Sequence, residues 1–147
     1  MSPAGAVLGA ACLLLPVAAA ALDVQVISVH ASESGPTDAS LGALRPRLRR
    51  LAGYRAFRVV RSERRQCQWH SPEQFALPGG RSLQLVPRGI EQQAVLMQVR
   101  LLDGRHRLVD TNVRLRNRGT MLFGVGQDGR GGEGSGALIV VLQAEER

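Results

Sequence analysis

Lysine is missing altogether: each of the 19 basic residues is an arginine. That absence excludes chemistry. Without a side-chain amine the chain cannot form a Schiff base, use a Ser-x-x-Lys nucleophile or complete a Walker A phosphate loop. Cysteine is almost as scarce, with Cys12 and Cys67 alone. Cys12 lies in an apolar leader, and once that is removed no internal disulfide can form, even in an oxidising compartment. The remaining thiol, Cys67, reads as a buried side chain. Aromatic residues make up 3% of the chain, so stacking platforms for nucleic acid are few. Beyond the leader, no run is apolar enough to span a membrane.

The leader is residues 1–21, which read as a signal peptide and stand outside the fold. Ala4 to Ala21 is uncharged and apolar, and the small residues Ala18 to Ala21 fit cleavage after Ala20 or Ala21. Pro16 and the abundance of alanine argue against a permanent anchor. The apolar run continues past Cys12, which argues against lipidation there. The rest, residues 22–147, is one domain's length of chain and long enough to bury a core.

Charge is concentrated rather than spread. Leu41 to Arg65 holds nine arginines against the single acid Glu63, a local balance of +8 beside +7 for the whole chain. In this window Leu41, Leu44, Leu48 and Leu51 recur at one-face helical spacing. A short basic helix is expected near 40–52, ending at Gly53: either it begins near Arg45 with Pro46 in its first turn, or a longer helix is kinked at Pro46. Thr37, Asp38 or Ser40 is placed to cap it.

The remainder alternates as strands do. Leu22 to His30, Tyr54 to Ser62, Arg65 to Trp69, Phe75 to Leu77, Ser82 to Val86, Ala94 to Leu102, Arg107 to Leu115 and Thr120 to Phe123 are the expected strands. Asp103-Gly104 is the best hairpin signal. Ala137 to Leu142 reads as a central strand covered on both faces. The fold class is therefore mainly β (α+β), an antiparallel β-sandwich or open barrel with one short N-terminal basic helix.

Motifs for catalysis fail on inspection. Gly124, Gly126 and Gly129 match G-x-G-x-x-G, but a glycine-rich loop over 124–136 and then a strand follow where a dinucleotide site needs a helix. Cys67, Trp69 and His70 are neighbours, yet a Cys/His nucleophile needs a third orienting group and zinc needs three or four ligands. Glu133 stands where the nucleophile elbow around Ser135 requires glycine. No cofactor or metal is expected.

The order of elements runs from export leader and leucine helix to the aromatic strand Tyr54-Arg55-Ala56-Phe57-Arg58-Val59-Val60. Phe75-Ala76-Leu77-Pro78-Gly79-Gly80-Arg81-Ser82-Leu83, a hairpin, a glycine loop and a hydrophobic last strand follow. This order resembles small uncharacterised exported β-rich proteins of GC-rich Gram-negative bacteria. The resemblance rests on turns and core positions and implies no activity. Asp110 to Gly126 is also similar to the strand-turn-strand of outer-membrane secretins, over too short a stretch to transfer a residue.

The sequence thus predicts a non-enzymatic periplasmic or secreted accessory domain of the cell envelope, acting by binding. Its contact residues are Arg45, Arg47, Arg49 and Arg50, with Arg55 and Arg58 beside them, because guanidinium forks bind carboxylate and phosphate bidentately. The expected partner is an envelope protein or an anionic glycan or lipid surface. Nucleic acid is the usual reading of such a patch, but an exported protein seldom meets it. The competing readings are a hydrolase using Cys67 or His70 and a structural subunit with an idle arginine face.

Overall fold

A computed structural model of the chain describes residues 21–127 and 136–146. The expected leader, apart from Ala21, and the middle of the glycine-rich segment lie outside the described residues. Eight strands follow in order: β1 Ala21–Ser32, β2 Ala56–Gln68, β3 Glu73–Leu77, β4 Arg81–Glu91, β5 Ala94–Asp103, β6 His106–Arg116, β7 Thr120–Gln127 and β8 Ala137–Glu146. They build two four-stranded sheets, β2-β1-β8-β7 and β3-β4-β5-β6, and every pairing is antiparallel. The chain changes sheet between β2 and β3 and again between β6 and β7.

One apolar cluster draws on both sheets. Leu22, Val24, Val26, Val140 and Leu142 come from the first, and Leu83, Leu85, Met97 and Val99 from the second. This shared core is the arrangement expected of an antiparallel sandwich or open barrel. A second cluster lies on the other face of the first sheet. Val29, Ala31, Phe57, Ile139 and Val141 pack there with Leu41 and Leu48. Strand β8 is therefore covered on both faces, and Leu138 to Leu142 are buried without a break, as their continuous apolar run predicts.

The helix expected near 40–52 is divided into two pieces, a 3-10 turn at Ala39–Leu41 and α1 at Arg45–Ala52. Pro46 supplies the reason, since it has no N–H to bond back one turn and its ring excludes a continuing helix. It sits in the first turn of α1. Asp38 caps the 3-10 turn, accepting from the Ser40 N–H at 3.0 Å. Gly53, at φ 69°, ends α1 and donates to the Arg49 carbonyl at 2.9 Å. Only a residue without a β-carbon takes that conformation cheaply.

Tyr54–Ser62 and Arg65–Trp69 are not two strands but one, β2. Val60 is an extra residue in it: Ser28 lies opposite Arg61 while Val29 lies opposite Val59. Such a bulge reverses the alternation. Phe57 accordingly packs in the helix-side cluster, and Cys67, an even number of residues later, packs in the intersheet core. Strand β4 also outruns its expected end at Val86, continuing through Pro87 to Glu91 with an irregularity at Arg88. Strand β7 continues past Phe123 to Gln127, so Gly124 belongs to a strand and not to a loop. The turn from β4 to β5 places Gln92 and Gln93 at positive φ, without the asparagine or glycine that usually marks such a turn.

Candidate arginine-bearing contact surface

The face of the first sheet that looks away from the second sheet has two halves. Residues at alternate positions of β1 share this face. Ile27, Val29 and Ala31 lie under the helical layer. Asp23 and Gln25 lie beyond it, beside Arg64, Arg118, Gln143 and Glu145, around a cavity of about 150 Å³. Polar side chains satisfy one another across this open half. Gln25 Nε2 donates to Ser62 Oγ at 3.2 Å, and Arg118 Nε donates to Glu145 Oε1 at 3.0 Å.

The nine clustered arginines divide at the Val60 bulge. On its far side Arg61 lies 3.8 Å from Glu63, and Arg64 lies 3.6 Å from the nearly buried Asp23. Arg65 Nε donates to Glu63 Oε1 at 2.8 Å, and its Nη1 reaches Glu73 Oε2 at 3.4 Å. Its guanidinium also lies over the Phe75 ring, 4.7 Å from the centroid. The Glu63 hydrogen bond raises the pKa of Arg65 further, so this side chain is a permanently charged clasp.

On the near side the picture is the opposite. Arg45, Arg47, Arg49, Arg50, Arg55 and Arg58 are all exposed, and among the described residues none forms an ion pair with a carboxylate. Arg47 Nη2 donates to the Thr120 carbonyl at 2.8 Å, and Arg50 Nε to the Pro46 carbonyl at 3.4 Å. Asp38, the nearest acid before them in sequence, is occupied by Ser40. The Ser40 hydroxyl and N–H both donate to that carboxylate and hold its pKa below the usual value.

Helix geometry separates the four arginines of α1 into two pairs, Arg45 with Arg49 and Arg47 with Arg50, on either side of buried Leu48. Arg58 does not join them. It lies opposite His30 on β1 and so faces the other side of the sheet from Phe57. Arg55 leads into β2 from the end of the helix, its N–H donating to the Ser32 carbonyl at 3.2 Å. The leucine face is also incomplete. Leu41 and Leu48 are buried, but Leu51 is 46% exposed. It lines an open groove of about 440 Å³ with Arg47, Arg50 and Leu122.

Sequence reasoning missed Thr120 and Leu122 as parts of this surface. The only available signal was the apolar character of 121–123, which gives a strand but not its neighbour. The catalytic candidates are not brought together. Cys67 is fully buried, and burial pushes its thiol up to about 11. His70 is exposed in a turn at φ 62°. Among the described residues no three His, Cys, Asp or Glu side chains could hold a metal, and no helix is long and apolar enough to cross a membrane. Gly124 and Gly126 lie in β7; Gly129 and Ser135 lie outside the described residues. No protein-family model matches the sequence, and no curated protein or solved structure matches it.

Proposed function

We propose that this chain is a non-enzymatic binding domain, exported to the periplasm or beyond, that serves an assembly of the bacterial envelope. Its contact surface is α1, with Arg45, Arg47, Arg49 and Arg50 as the groups that hold an anionic partner. One observation carries this reading: among the described residues the exposed arginines before the bulge have no internal carboxylate, whereas those after it do. Each unpaired fork offers parallel N–H donors to a carboxylate or phosphate. Buried Leu48 of α1 and Leu41 of the preceding 3-10 turn pack on the sheet, so the forks are presented on an ordered support.

The leader-like first residues support export. The burial of Cys67 weighs against hydrolysis, because a thiol held near pKa 11 has almost no thiolate at neutral pH. Cross-linking in living cells, on a tagged full-length chain, tests the proposal. One recurrent envelope protein should co-purify, and changing Arg45, Arg47, Arg49 and Arg50 together to glutamate should abolish its capture. Undiminished capture by that variant removes the helix from the account.

A further inference from the structure

Each sheet ends in two edge strands, and the chain defends three of the four. Strand β2 carries Arg58, Arg61, Glu63, Arg64 and Arg65 and a bulge, β3 is only five residues long, and β6 carries Arg107, Asp110, Arg114 and Arg116. Charges, bulges and brevity are the usual devices against pairing with a foreign strand. Strand β7 (TMLFGVGQ) has no charge and no proline. Its pairing with β8 is regular from Thr120 to Gly124 and becomes irregular only beyond. Among the described residues β8 is its only partner.

The undefended edge adjoins the unpaired arginines. Arg47 donates to the Thr120 carbonyl at the start of β7. Leu51 overlies Gly124, whose missing β-carbon would stand 3.9 Å from Leu51 Cγ. Arg47 and Arg50 rim the groove whose apolar wall is Leu51 and Leu122. On the other face of the strand Met121, Phe123 and Val125 are only partly buried against the intersheet core.

From this juxtaposition we infer that β7 accepts an extended segment of a partner protein as an added strand. The segment alternates acidic and apolar residues. Its carboxylates lie on the helix side against Arg47 and Arg50, and its apolar residues extend the row of Met121 and Phe123. Main-chain hydrogen bonds supply pairing, and the alternate side chains supply selection. A second copy of this chain fits less well, since it brings +7 of its own. The inference rests on the proposed binding role of α1 and names the partner's chemistry.

The test is fluorescence titration of the full chain with the labelled peptide acetyl-(Asp-Val)3-amide and with its analogue N-methylated at every backbone nitrogen. The two carry the same charge, but in the analogue none of the six residues has a main-chain donor. The unmodified peptide should bind at least about tenfold more tightly, and it should slow amide exchange in Thr120–Gly124. The Arg47→Glu, Arg50→Glu double variant should lose this binding. Equal affinity for both peptides, or binding of neither, overturns strand addition. If capture in cells still depends on the helix arginines, the charge contact itself stands. Protection of Thr120–Gly124 that grows with protein concentration, without peptide, overturns the inference in favour of self-pairing.

Discussion

Arg45–Arg58 and Arg61–Arg65 are neighbouring arginine-rich stretches with different fates. In the second, two guanidinium groups converge on Glu63, Arg65 adds Glu73, and Arg64 lies beside Asp23. In the first, exposed side chains meet backbone carbonyls or solvent. Part of the difference is that Glu63 lies within the second stretch, two residues from both Arg61 and Arg65; the rest arises from the Val60 bulge. Without the Val60 bulge, Arg61, Glu63 and Arg65 would continue on the face of Phe57, away from Glu73 and Phe75. With it they turn toward the second sheet's edge and are held there, while Arg64 turns to Asp23. Arginine count is thus a poor guide to binding surface. What matters is whether a carboxylate has been placed within reach.

Deleting Val60 should have the largest effect on the two stretches. A one-residue slip sends a strand's side chains to the wrong face, so either Phe57 or Cys67 must leave its cluster. The deletion should fail to give a cooperative urea transition; a cooperative transition with wild-type midpoint would show that the bulge does not separate the two regions. Next in size is Phe57→Ala, which should cost about 3–5 kcal/mol in urea unfolding. Phe57 is the largest fully buried member of the cluster that holds the helical layer to the sheet.

Cys67 lies on the far side of the bulge and should register as a loss of stability in alkali. Its pKa is raised by burial from 9.0 to about 11. The folded protein therefore keeps its proton where the unfolded chain gives it up. The contribution is complete below pH 9 and is lost as pH rises through 11, a decline of at most about 3 kcal/mol. Cys67→Ala should remove that component. A smaller contrast concerns the charges themselves. Glu63→Gln leaves Arg61 and Arg65 without their shared acid and should cost about 1 kcal/mol. Arg45→Gln with Arg49→Gln should move stability by no more than about 0.5 kcal/mol, because among the described residues neither side chain has an internal partner.

Much of the fold was legible because its signals are local. The period-2 runs of β1, β5 and β6, the Asp103-Gly104 hairpin and the continuous apolar run of β8 each depend on a few adjacent residues. So does the pairing of Pro46 near the start of α1 with Gly53 at its end. What failed was non-local or phase-breaking. The Val60 bulge reversed the alternation of β2 and made one strand look like two. Pro87 and Gly124 look like stops, yet β4 and β7 run through them. Of the candidate contact surface, α1 was legible, but the grouping of Arg58 with it was not, since that needs the register of β2 on β1. The pairing of Arg64 with Asp23, and the approach of β7 to Arg47, join residues far apart in sequence and follow only from sheet order.

The most direct test of the account is arginine footprinting with phenylglyoxal, read by mass spectrometry on the purified chain and on the same chain in isolated envelopes. Arg45, Arg47, Arg49 and Arg50 should be modified quickly in the purified protein and protected in the envelope, while Arg65 reacts slowly in both. Equal modification of the four helix arginines in the two samples would contradict the claim that they are the contact surface.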